Sequence, residues 1–151
     1  MERRKFITLS STVIGATILS PTTVTATDFR LEKPEAWKSE NSDLAIKALF
    51  GDIKMIEGKI KMKAPKLAEN GAAVPIGLSS DIEATVVAIF QDANPRSAVA
   101  VFELGKGALF ELKTKIKMRK TSNVTIVAKD INGLYYYVSK KVEVSIGGCG
   151  G

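Results

Sequence analysis

The sequence has no histidine and a single cysteine, Cys149, among its 151 residues. Without imidazole there is no Ser-His or Cys-His dyad, no imidazole metal ligand, and no general base poised near neutral pH. One thiol per chain excludes an intramolecular disulfide, and it excludes a closed zinc site or an iron–sulfur cluster within one chain. No run of about 18 or more apolar residues is present that could span a bilayer as a helix. Aromatics make up 7% of the chain and are not interleaved with a basic patch, which argues against a nucleic-acid partner. These absences argue against a self-sufficient enzyme. They predict no catalytic residue, no metal and no cofactor.

What is present suits one globular domain. The length is enough to bury a core without staples, and 45% hydrophobic with 25% charged residues are ordinary values. The net charge is +6, from 22 basic and 16 acidic residues. Glu2, Arg3, Arg4 and Lys5 belong to a leader, and the remaining 19 basic and 15 acidic residues leave a mild excess of +4. Such an excess is compatible with anionic small molecules or an acidic partner protein.

Residues 1–26 read as a targeting segment: Arg3-Arg4-Lys5-Phe6-Ile7, a weakly apolar stretch from Thr8 to Leu19, Pro21, and a small-residue cleavage site at Val24-Thr25-Ala26. The paired arginines and the modest hydrophobicity resemble a twin-arginine signal, which exports folded proteins. The expected location is therefore the periplasm. An ordinary secretory leader is the alternative.

Residues 27–51 read as a helical segment laid against the body or a partner. Ile46, Leu49 and Phe50 share one face of a helix over 43–50, Ser42 can cap its start, and Gly51 suits its end. Beyond Gly51 the hydrophobic period changes to two. Ile60, Met62 and Ala64 alternate with Lys59, Lys61 and Lys63, and Glu69-Asn70-Gly71 marks a turn before a strand over 74–79. Ile82, Ala84, Val86, Ala88 and Phe90 are expected on one face of the next strand. Asn94-Pro95 turns the chain into Val99–Leu104, and Gly105-Lys106-Gly107 turns it again. Leu112, Thr114, Ile116 and Met118 alternate with Glu111, Lys113, Lys115 and Lys117. Val124, Ile126 and Ala128 face inward, and Asn132-Gly133 is a hairpin signal leading to Tyr136, Val138, Val142, Val144 and Ile146. About seven evenly spaced strands over 52–146 predict an all-β, immunoglobulin-like sandwich. Tyr135-Tyr136-Tyr137 reads as core plus surface aromatics. The lysine rows at 59–63 and 113–117 read as solvated faces that also discourage edge aggregation, or as a surface attracting anions or acidic partners.

The chain ends in Gly147-Gly148-Cys149-Gly150-Gly151. Glycine-rich termini behave as flexible coil, so residues 147–151 are expected to form an arm that presents the thiol. Four or so residues past Ile146 reach roughly 13 Å when extended at ~3.3 Å each, enough to enter a narrow channel. An unperturbed thiol is only a few per cent ionised at neutral pH. The nearest upstream cations, Lys140 and Lys141, lie back on the last strand. Activation would therefore come from a partner's pocket, which is the logic of a carrier arm.

This pentapeptide resembles the C-terminus of the SoxY family, the sulfur-carrier subunit of the Sox thiosulfate-oxidation system. Ala68-Glu69-Asn70-Gly71-Ala72-Ala73-Val74-Pro75, Asn94-Pro95 followed by Phe102-Glu103-Leu104, and Lys117-Met118 through Thr121-Ser122-Asn123-Val124-Thr125 carry the resemblance through most of the mature chain. The resemblance implies an immunoglobulin-like periplasmic protein in a heterodimer with a SoxZ-like subunit. Cys149 would hold thiosulfate, sulfide or sulfite as covalent cargo, the flanking glycines would form the arm, and SoxAX-, SoxB- and SoxCD-like enzymes would dock transiently. Two other classes stay open: a structural module whose terminal cysteine forms an intermolecular disulfide, and a carrier using the Gly151 carboxylate as a thiocarboxylate.

Overall fold

The computed structural model describes residues 26–145. The expected leader (except Ala26), together with Ile146 and the arm Gly147, Gly148, Cys149, Gly150 and Gly151, lies outside the described residues.

Three short helices come first: α1 (Phe29–Glu32), α2 (Pro34–Lys38) and α3 (Ser42–Phe50). Trp37 ties the first two together, its indole N–H donating to the Phe29 carbonyl at 3.1 Å while Arg30 stacks on its ring. The cap of α3 is Asn41, whose side chain accepts from the Leu44 amide at 2.9 Å. Ser42, the expected cap, is instead the first helical residue, and its hydroxyl is buried and used elsewhere. Gly51 ends the helix as expected, with φ of +81°, a conformation that side-chain-bearing residues rarely adopt.

Nine strands follow: β1 (Met55–Glu57), β2 (Lys61–Lys63), β3 (Leu67–Ala68), β4 (Val74–Ser80), β5 (Ala84–Gln91), β6 (Ala98–Glu103), β7 (Phe110–Ile116), β8 (Ser122–Asp130) and β9 (Tyr135–Val144). One sheet has the order β1-β9-β8-β5-β6, with β3 also pairing β9, and the other is β2-β4-β7. The additional strands, β1 and β3, are two or three residues long and pair in parallel with β9. They are too short to show an alternating pattern.

The two sheets enclose the main core, which includes Met62, Ile76, Leu78, Val87, Ile89, Phe110, Ile116, Met118, Ile126 and Val142. A second core lies on the other face of the larger sheet, where Ala36, Ala45, Ile46 and Leu49 of the helices cover Ala88, Phe90 and Val127. Phe50 is half-buried and meets Tyr135 edge-on at 5.3 Å. The molecule is thus an immunoglobulin-like sandwich with a helical third layer. Tyr136 packs toward the sandwich core, while Tyr135 and Tyr137 pack toward the helices.

The expected single face of β5 is corrected by this arrangement. Ile82 and Ala84 belong to the main core together with Val87 and Ile89, whereas Ala88 and Phe90 belong to the helical core. A bulge between Ala84 and Val86 shifts the register against β8, and a one-residue shift moves every later side chain to the opposite face.

Near the start of the described residues, the Thr27 amide (3.0 Å) and hydroxyl both donate to the Glu103 carboxylate. The hydroxyl bond first, then the amide bond, holds that carboxyl below its ordinary value. A lowered folded-state value means that this contact's stabilisation is complete above the unfolded-state value. It fades as pH falls through the folded one. Because Glu103 is exposed the contribution is small. Titration followed by NMR is expected to give Glu103 a lower midpoint in the native chain than in Thr27→Val. Equal midpoints would remove the hydroxyl as the cause.

Candidate functional site

β9 is antiparallel to β8, and it carries the chain to the end of the sandwich where β5 finishes and β4 and β8 begin. The C-terminal segment therefore leaves from that end. Its root is held on two sides. Glu143 donates its amide to the Lys66 carbonyl at 2.8 Å, and Ser145 donates its amide to Ala68 at 3.1 Å. The Ser145 hydroxyl donates to the Glu69 carbonyl at 3.2 Å, and the Val144 amide donates to the Thr121 hydroxyl at 3.0 Å. Ser145, four residues before Cys149, is thus anchored to the body.

Three loops meet around this root, and they are the segments that carried the family resemblance. In the loop before β4, the Asn70 side chain accepts from the Ala72 amide at 2.9 Å and closes the expected turn. Gly71 then passes so close to the β7–β8 loop that the Met118 amide donates to its carbonyl at 2.7 Å. A Cβ on Gly71 would lie 2.3 Å from the Met118 carbonyl oxygen and 2.8 Å from Val144 Cγ1. In the β5–β6 loop, Asn94 donates from its side chain to the Lys117 carbonyl at 2.8 Å and accepts from the Arg119 amide at 3.1 Å. That one amide locks two loops together.

Residues that the pattern did not reveal brace this end. Gln91 is buried at the end of β5, and its side chain binds the amides of Ala93 (2.6 Å) and Asn94 (3.0 Å) and the Arg96 carbonyl (3.1 Å). Asp92 accepts from the Ser42 amide (2.7 Å) and hydroxyl (2.9 Å) and from the Ser97 hydroxyl at 3.2 Å, fastening α3 to the same loop. The one sequence signal for this bracing was a glutamine following the apolar run from Val86 to Phe90, just before Asp-Ala-Asn-Pro.

Lys140 and Lys141 lie on β9, four and three residues before its last residue, Val144. Lys141 sits 3.8 Å from Glu143, and Lys140 donates to the Met62 carbonyl across the sandwich. Among the described residues, no group of three or more carboxylate, cysteine or histidine side chains could hold a metal ion. No described helix is long and apolar enough to cross a membrane. The structure thus places an interlocked platform of loops where the chain departs toward Cys149. The cysteine and its glycines themselves lie outside the described residues.

The family of the sulfur oxidation protein SoxY matches residues 46–149, a stretch that ends on the cysteine. The solved structure of the sulfur carrier protein SoxY from Chlorobium limicola f thiosulfatophilum superposes with a TM-score of 0.62 and 36% identity, covering 69% of this chain and 96% of that one. A superoxide reductase (neelaredoxin) from Ignicoccus hospitalis superposes with a TM-score of 0.52 at 13% identity, covering 58% of this chain and 81% of that one. A putative superoxide reductase from Thermotoga maritima superposes with a TM-score of 0.51 at 15% identity, covering 62% and 94%. Likeness to these reductases is one of fold alone. No curated protein matches the chain. With most of the sandwich and the terminal cysteine inside the matched stretch, and with a SoxY structure alike over nearly its whole length, the chain belongs to the SoxY family.

Proposed function

We propose that this chain is an exported sulfur carrier that holds thiosulfate-derived sulfur on Cys149 and presents it to separate enzymes. The observation that carries the reading is that the SoxY match runs through residue 149, the only thiol in a chain without histidine. The chemistry is limited to what a bare thiol can do. Joining the Cys149 sulfur to the sulfane sulfur of thiosulfate forms one S–S bond, R–SH + HS–SO3⁻ → R–S–S–SO3⁻ + 2 H⁺ + 2 e⁻. The two electrons pass to an oxidant held by a partner enzyme. Hydrolysis of the outer group, R–S–S–SO3⁻ + H2O → R–S–SH + HSO4⁻, leaves a persulfide on the carrier. Each step needs a partner's active site, because this chain supplies only the thiol and the reach. A SoxZ-like subunit is the expected stable partner, with SoxAX-, SoxB- and SoxCD-like enzymes docking transiently. The twin-arginine leader supports a periplasmic location.

Intact-mass measurement of the native protein tests this. Sulfur-containing adducts that vanish with reductant are expected on the native chain, and none on Cys149→Ser. A doubled mass that collapses with reductant would instead mark an intermolecular disulfide. A single oxygen-to-sulfur change that survives reductant would mark a thiocarboxylate at Gly151. Adducts persisting on Cys149→Ser would overturn the assignment.

A further inference from the structure

The two lysine rows singled out in the sequence come together on one surface. In β2 and β7 alternation turns Met62 and Ile116 into the core and leaves Lys61, Lys63, Lys113 and Lys115 exposed on the outer face. β4 runs between them, and its register sets Lys63 and Lys113 on either side of Gly77, with Lys115 beside Pro75. The middle strand offers that face only Pro75, Gly77 and Ser79, none as tall as a lysine. The sheet is therefore dished into an open groove of about 780 Å³. Its floor is largely aliphatic, including Ala64, Pro65 and Pro75. Lys140 comes in from the other sheet to line it and donates to the Met62 carbonyl. Of the four lysines that line the groove, Lys63, Lys113, Lys115 and Lys140, Lys113 has a carboxylate near it, Glu111 at 3.2 Å, and both are exposed. Lys63 and Lys115 have no carboxylate partner among the described residues.

A merely solvated strand face would show separate lysines on a flat or convex sheet. Here four ammonium groups from three strands and both sheets surround one concave apolar floor. We propose that this groove docks an acidic segment of a partner protein that also inserts an apolar side chain between its carboxylates. Charge complementarity selects acidic residues for the rim, and lysines suit that role because their aliphatic stems cover apolar surface while their charges stay hydrated. An apolar floor this broad has no use for a small inorganic anion. The groove also ends at Pro65, next to Lys66, whose carbonyl holds Glu143 at the root of the C-terminal segment. A partner seated there lies beside the point where the chain leaves toward Cys149. The proposal does not depend on what the cysteine carries.

The probe is a fluorescein-labelled peptide of alternating glutamate and leucine, added to the full mature chain, with binding read by anisotropy and mapped by amide NMR. Shifts are expected to cluster at 62–65, 75–77 and 113–115. The triple variant Lys63→Glu, Lys113→Glu, Lys115→Glu should weaken binding by about ten-fold or more. The same charge change at Lys33, Lys54 and Lys106, exposed residues that do not line the groove, should weaken it by less than about two-fold. Replacing the peptide's leucines by serine should weaken binding further at equal charge. Shifts scattered over every lysine-bearing surface, or equal weakening by the two triple variants, would overturn the proposal. It would also fall if anionic lipid vesicles or a single-stranded oligonucleotide bound the groove more tightly than the peptide did. Tight binding of a synthetic Gly-Gly-Cys-Gly-Gly peptide would assign the groove to the chain's own arm instead. Adduct formation on Cys149 is scored separately, so failure here leaves the carrier reading standing.

Discussion

Phe90→Ala is expected to lower the unfolding free energy by about 3–5 kcal/mol, the range for truncating a buried phenylalanine where the surroundings collapse only partly. Phe90 is fully buried, and its ring fills the space between the larger sheet and the helices with Ala45, Ile46 and Leu49. The loss would sit in the helical core, leaving the sandwich core formed by Val87 and Ile89 on the other face of the same strand untouched. Hydrogen exchange should therefore accelerate first in 29–50. Chemical denaturation measures the total. A cost below about 1 kcal/mol would mean that the helices are a loosely attached appendage and not a third layer.

Gly71→Ala should cost about 1–3 kcal/mol, the penalty for forcing atoms into a packed site, and its consequence is local. The new methyl would press on the Met118 carbonyl and on Val144. The Met118-to-Gly71 hydrogen bond has to open. Both neighbours belong to the platform that anchors Val144 and Ser145, so the variant should show faster amide exchange at 143–145. In a carrier it should also slow loading of cargo onto Cys149 without removing the thiol. Hydrogen exchange resolved by residue, together with the rate of adduct formation on Cys149, checks both statements. Unchanged exchange at 143–145 would mean that the loop yields without moving the root.

Much of the sandwich was legible because alternation is a local property. In β4 and β7 alternate residues turn inward, and the turns at Asn70, Asn94 and Asn132 are written in residues that bend the backbone on their own account. Where the alternation was interrupted, the reading failed. The bulge at Ala84–Val86 is a defect in pairing between β5 and β8, and nothing in the residues 82–90 announces it. Ser42 and Asn41 are both acceptable caps by chemistry. Asn41 holds the position because Ser42 is drawn into hydrogen bonds with Asp92 and Ser97, some fifty residues away. Gln91 brought no periodic signal, because its partners are backbone groups of a loop that exists only once β5 and β6 have paired.

The chemistry of the site divides in the same way. That Cys149 is the sole thiol, that no imidazole accompanies it, and that glycines flank it are facts of composition and order, independent of any fold. The interlocking of three loops about the root of that segment depends on hydrogen bonds between residues 23 to 77 positions apart, such as Asn94 with Lys117 and Ser145 with Ala68. The joining of the lysine rows into one groove depends on β4 pairing between β2 and β7. Neither follows from spacing along the chain, since contacts of that kind are chosen by how buried surfaces fit, and that choice is made only when the sheets have closed on each other.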